Sequence, residues 1–221
     1  MTLRPLTAAA LVCSITLVIA TGSFAQATQP TTAPADTTTP KGTLKLLSEA
    51  MEQGDVNAMR DLMIADEPVE KKMVAAQIAQ AEAFAQFRKA LVATFGQQAL
   101  EELTGKAPTA AERNAVFDAA PEKLEGDRAT VTVEQDAYEL RKIGGRWMLS
   151  LASMAKSVEP AMLDESLKEM TVRSDVMREI AAEITQGKYQ TTDEVGQAVQ
   201  GKLMFAMMRE AAATQPATQR N

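Results

Sequence analysis

Residues 125–151 read EGDRATVTVEQDAYELRKIGGRWMLSL, a two-residue apolar alternation in a chain otherwise rich in Ala, Glu, Lys and Met, which favour helix. This block constrains the fold most, because a strand that alternates has one face that must be covered, and the flanking segments can cover it only with helices. Ala129, Val131 and Val133 alternate with Thr130, Thr132 and Glu134, and β-branched residues dominate. Gly126-Asp127 suits a type II′ hairpin loop, and Gly144-Gly145 permits positive φ at both central positions. With Ile143 and Arg146 flanking the second loop, Lys142 falls opposite Trp147, Leu140 opposite Leu149 and Tyr138 opposite Leu151. One hairpin face is then Tyr138, Leu140, Trp147 and Leu149 with Lys142 at its tip, and it must be buried or line a pocket. The segment VFDAAPEKLE precedes the first loop as a further strand, with Pro121 at an edge or irregular end.

The segments around this block follow a helical period. Leu44, Leu47 and Met51 mark one helix, Gly54 suits a left-handed cap, and Asp55 can cap a second helix carrying Val56, Met59, Leu62 and Met63. Asp66-Glu67-Pro68 opens a long helix, with Pro in the first turn and acidic residues at the positive end of the dipole. Its apolar face is expected from Met73, Val74, Ile78, Ala81, Phe84, Arg88, Leu91 and Phe95, with Gly96 ending it. A short piece through Leu103 follows, and Thr109 with Glu112 forms a capping box for another. After the strands, Leu163, Leu167, Met170, Met177, Ile180 and Ile184 form a stripe, and Thr191 with Glu194 opens a last helix. That helix ends LMFAMM at 203–208, apolar almost all round, and so needs cover from this chain or another one.

Two helices joined through Gly-Asp, a longer helix, then GDRATVTV and YELRKIGGRWML resemble the nuclear transport factor 2-like superfamily, the cone-shaped α+β fold that includes ketosteroid isomerase-like domains. The resemblance covers roughly residues 43–154. It implies N-terminal helices packed on a curved antiparallel sheet of about four strands, here followed by two extra C-terminal helices. It also implies that a ligand, if bound, sits in the mouth of the cone, which makes Tyr138, Leu140, Trp147 and Leu149 the candidate lining; the other role open to them is core packing under the helices. Enzymes of this type rely on an Asp or His base within the cone, and no position here matches that motif. The helix at 68–95 is longer than the family needs, and the region after Ser157 is additional.

The termini set the compartment. Arg4, the apolar residues 6–20 and Ser23-Phe24-Ala25 form a secretory signal pattern, and fifteen residues broken by Thr7, Ser14 and Thr16 fall short of the ~20 a bilayer span needs. Cleavage after Ala25 removes Cys13, so the exported part holds together without disulfides. The expected organisation is a signal peptide at 1–25, a disordered Pro/Thr-rich linker at 26–42, an α+β domain at 43–157, a helical extension at 158–211 and a disordered tail at 212–221. The location is periplasmic or secreted, with no membrane span once the signal is removed.

Chemistry is bounded by what the chain lacks. It has no histidine, which excludes Ser-His-Asp and Cys-His nucleophile pairs and every zinc site drawing on His or Cys. Losing Arg4 leaves 22 basic residues against 29 acidic ones, a net charge of −7. An acidic chain with scattered Lys and Arg is a poor ligand for nucleic acid or anionic lipid. Glu134 and Asp136 are the one carboxylate pair worth weighing for acid–base work, although a strand connection normally leaves such residues in water. Tyr189, between the last two helices, reads as a loop aromatic, and Met204, Met207 and Met208 read as packing residues and not as a copper site. No cofactor and no catalytic residue are assigned. The sequence points to an exported, noncatalytic binding or protein-interaction module of the cell envelope, with a homodimer or an envelope partner reached through the C-terminal helices. The alternative is a small-molecule isomerase, dehydratase or hydrolase using a carboxylate base in the cone.

Overall fold

The computed structural model describes residues 36–214. The expected signal peptide, the first part of the linker and the last residues of the tail lie outside them. The described chain is α+β, with helices on both sides, in sequence, of one open sheet.

Helix α1 (Pro40–Gln53) starts with Pro at its first turn and the Thr39 hydroxyl accepting from the Gly42 N–H. It begins inside the segment expected to be linker, so residues 36–42 belong to the fold: the Trp147 N–H donates to the Thr37 carbonyl at 2.8 Å, and the Thr43 hydroxyl donates to the Trp147 carbonyl at 3.0 Å. Gly54, at φ 69°, ends α1, and the Asp55 carboxylate accepts from Asn57 and Ala58 to open α2 (Val56–Leu62), the cap role the sequence assigns it. Met63 does not continue that helix. With Ile64 it forms β1 (Met63–Ile64), parallel to the last strand of the sheet.

Helix α3 (Pro68–Phe95) follows, its first turn fixed by the Glu70 carboxylate accepting from the Asp66 N–H at 2.8 Å. Next come α4 (Gln97–Thr104) and α5 (Ala110–Ala119), the latter opened by the Thr109/Glu112 capping box. Helix α5 takes up Val116 to Asp118, which the sequence places in a strand; the strand β2 (Glu122–Glu125) begins only after Pro121. Strands β3 (Arg128–Val133), β4 (Asp136–Ile143) and β5 (Arg146–Ser150) complete a meander. The sheet order is β1-β5-β4-β3-β2, so the expected antiparallel sheet of about four strands is a five-stranded mixed sheet. The register Leu140↔Leu149, Lys142↔Trp147 and Ile143↔Arg146 is the one the Gly-Gly loop dictates.

All three loops of the meander have two residues. Gly144 and Gly145 both take positive φ, whereas in the β3–β4 loop the positive φ of 55° falls on Glu134.

A short α6 (Ala152–Ser157) leads to α7 (Pro160–Thr185) and α8 (Thr192–Thr214). Helix α8 runs to Thr214, into the segment expected to be tail from residue 212.

Two apolar clusters hold these elements. One joins α1, α2 and the first half of α3 to the sheet through Leu44, Met59, Met73, Val131, Leu140, Trp147 and Leu149. The other joins the second half of α3 to α7 and α8 through Phe87, Leu91, Val176, Ile180, Ile184 and Val195. Ala81 belongs to the first cluster and Ala83 to the second. Two residues apart on a helix lie about 200° apart, so α3 is enclosed on two sides at this level. This corrects the single expected stripe: Phe84 is exposed and Phe87 is buried in its place.

Candidate functional site

The hairpin residues singled out by the sequence sit together, but inside the protein. Leu140, Trp147 and Leu149 are 1–5% exposed and belong to the sheet-side cluster, with half-buried Tyr138 packed against it. The Lys142 ammonium lies 5.7 Å from the Trp147 ring centroid, where the ring face attracts a cation, so the one charge on this face covers the rim of the cluster. Glu134 and Asp136 are exposed at the β3–β4 loop, on the rim of the sheet.

A different group of polar side chains closes the α7–α8 connection. The Glu183 carboxylate accepts from the Tyr189 hydroxyl and pairs with Lys188 at 2.9 Å and Lys202 at 2.8 Å, while Lys202 also reaches Glu179 at 2.6 Å. Hydrogen bonding from Lys202, then from Tyr189 and Lys188, holds the Glu183 carboxyl down to about 2. Burial, with the Glu183 hydrogen bond adding to it, pushes the Tyr189 phenol up to about 12. Burial works against the Lys202 charge, but its hydrogen bonds to Glu179 and Glu183 more than offset it and hold that ammonium above its ordinary value. Proton-transfer groups work best with pKa values near ambient pH, and these are driven away from it. The group therefore acts as a staple between helices. Tyr189 belongs to this staple, and its pairing with Glu183 six residues away was not readable from the loop in which it sits.

Beside the staple, α7 and α8 enclose a groove of about 600 Å³ lined by Lys168, Val172, Asp175, Glu179, Lys202 and Phe205, among others. Its walls mix both signs of charge over an apolar floor. Among the described residues, no cluster of acidic side chains is arranged to hold a metal ion.

The most unusual surface lies on the outer side of α8. Val195, Val199, Leu203 and Ala206 turn inward to the helical cluster. Gln197, Gln200, Gly201, Met204, Met207 and Met208 are exposed, and they recur at spacings of three and four. From residue 197 to 208 the only charged residue is Lys202, and it is turned toward Glu179 and Glu183. Met204, Phe205, Met207 and Met208 are 48–65% exposed, which makes them the densest group of exposed large apolar side chains among the described residues. A helix face that meets only water normally carries charge, and this one carries none. The apolar run at 203–208 was visible in the sequence, whereas the neutral glutamine and glycine positions that extend the stripe were not singled out there.

Compared with known proteins, the chain matches no family model, no curated protein and no solved structure. No helix among the described residues is long and apolar enough to cross a membrane.

Proposed function

We propose that the chain is an exported, noncatalytic interaction module in which the α+β body holds α8 out as a contact surface. The observation that carries this reading is the uncharged outer stripe of α8, with three methionine side chains about half exposed or more and Phe205 exposed at its edge. Packing supports the noncatalytic part. The hairpin residues that would line a cone pocket are consumed by the core, and the most strongly shifted carboxylate, Glu183, is engaged at both oxygens. The helix pair joined at Gly54-Asp55 and the meander support membership of the nuclear transport factor 2-like type, and the signal pattern at residues 1–25 supports export to the periplasm or medium.

A photocrosslinking residue placed at position 208 in living cells tests the surface directly, with position 141 on the sheet as the comparison. A discrete adduct at 208 and none at 141 is the expected result. Adducts at neither position, or equally at both, would remove the interaction reading. N-terminal sequencing of the exported protein should begin at Gln26.

A further inference from the structure

We infer that the outer face of α8 is a self-association surface, occupied by the same face of a second copy lying antiparallel to it about a two-fold axis at Met204. This names the partner for the α8 contact and rests on that reading. The argument begins with spacing. In an antiparallel helix pair with residue 204 on the axis, a residue k positions before 204 faces the residue k positions after it in the other copy. The exposed stripe is arranged for that operation: Gly201 and Met207 lie three residues to either side of Met204, and Gln200 and Met208 four residues to either side.

The pairs also fit by size. A Cβ placed on Gly201 would meet nothing within 4 Å, so the surface there is an open notch. The Met207 side chain, 48% exposed, is the group that the second copy would bring to that notch, and the two-fold repeats the contact. Unbranched Met can adjust its rotamers to fill such a gap. Gly201 thus permits close approach of the two helix backbones at two symmetric points.

Charge selects the occupant. The chain carries a net charge of −6, so two copies repel over most of their surfaces, and an uncharged stripe is where they can meet without opposing carboxylates. An anionic lipid surface asks instead for a cationic rim around the apolar face. Here Lys202 is tied to Glu179 and Glu183, and the exposed Arg209 is followed at once by Glu210. The three stripe methionines leave on the order of 300 Å² of surface in water per copy, the size at which a patch on a monomer is often functional. With the flanking Gln197 and Gln200, two such faces approach the lower end of specific interfaces, roughly 1,200 Å² in total. The dimer should therefore dissociate on dilution.

Sedimentation equilibrium of the purified chain from about 1 to about 100 µM tests this. The expected result is a rise from monomer to twice the monomer mass over that range. Met204→Glu and Met204→Lys, at a position 61% exposed, should each stay monomeric at the highest concentration with unchanged circular dichroism. Mixing the two in equal amounts should restore the doubled mass, because residue 204 faces residue 204. Failure of the mixture to associate, with both variants folded, would overturn the proposal. So would a wild-type chain that remains a monomer throughout. In that second case a persistent adduct at position 208 would keep the interaction reading with a different partner, whereas loss of the adduct would remove both. A monomer that floats with phosphatidylglycerol vesicles would overturn self-association in favour of lipid.

Discussion

The sheet-side cluster and the helical cluster bury their residues by different means. On the sheet side, one large aromatic is fixed from every direction: Trp147 packs in the cluster, its backbone N–H is held by Thr37, its carbonyl by Thr43 and its ring face by Lys142. The helical side relies mainly on apolar contacts along α3, α7 and α8, with its polar fixing densest at one end, around Glu183, and a single tie from Arg178 to the Ala79 carbonyl of α3. The sheet side thus has specificity distributed through its interior, whereas the helical side is a smooth packing locked at the α7–α8 turn and left uncovered on the outer face of α8. A surface meant for docking is more easily carried by the second kind of structure, because its outer residues take no part in holding the core.

The comparison breaks first at Trp147. Truncation to Ala should cost about 3–5 kcal/mol in urea unfolding, since a buried Trp leaves both a cavity and lost contacts. A loss below about 1 kcal/mol would show that the sheet side is not organised around this side chain.

A second break addresses the polar fixing within the sheet-side half. Lys45 is 2% exposed and its ammonium lies 2.5 Å from the Asp118 carboxylate, joining α1 to α5. Asp118→Ala should cost about 3 kcal/mol, because it leaves the ammonium buried without that carboxylate. Replacing both residues together, Lys45→Met with Asp118→Leu, should recover most of the loss. If the double variant is as unstable as the single one, the pair serves packing geometry and not charge balance.

The helical half should respond to pH. The Glu183 pKa is lowered from an ordinary 4.5 to about 2, so its contribution is fully present above pH 4.5 and disappears as pH falls toward 2. Solvent screening at this surface-facing network keeps the contribution to about 1 kcal/mol. At the other end, the Tyr189 phenol is raised to about 12, so its contribution is present below pH 10 and fades as pH rises toward 12, and the raised Lys202 ammonium acts in the same direction. Hydrogen exchange in α8 should accelerate in both windows, and Glu183→Gln should abolish the acid one. Equal acceleration in β3 and β4 would mean that the two clusters open as one unit.

The smallest effect is expected at Glu134, which takes φ 55° in a loop where the neighbouring hairpin uses glycines. Left-handed backbone disfavours a side chain, while glycine gains entropy in the unfolded chain, so Glu134→Gly should stabilise by about 0.5 kcal/mol. A destabilising result would mean that the Glu134 side chain makes a contribution larger than its strain.

Much of the sheet was legible because its signals are local. Gly144-Gly145 alone fixes the β4–β5 register, and Gly54-Asp55 fixes the α1–α2 break. Strand β1 was not legible, since Met63 and Ile64 follow a helical period and become a strand only by pairing with Leu149 and Ser150. The long α3 misled for a related reason. A helix enclosed on two sides has no single stripe, so Phe84 and Phe87 cannot be ranked by periodicity. Of the candidate site, Leu140, Trp147 and Leu149 were correctly placed on one face, but whether that face lines a hollow or a filled core depends on how closely α1 and α2 approach it, which is a tertiary property. The staple joins Glu183 to Lys202 across two helices, and no spacing within either one announces it.

The bond from Trp147 to Thr37 also sets an order of events along the chain. The sheet's last strand is closed on one side by β4, its immediate predecessor, and on the other by β1 and by Thr37, the latter 110 residues upstream of Trp147. The Thr43–Trp147 and Thr37–Arg146 contacts span 104 and 109 residues in the same way. Helices α1 and α2 can form early, but the strand against which α1 rests does not exist until residue 150 has been made. High sequence separation between partners slows folding, because loop closure must precede any reward from contact. A chain emerging N-terminus first would therefore stay open until its meander has been made.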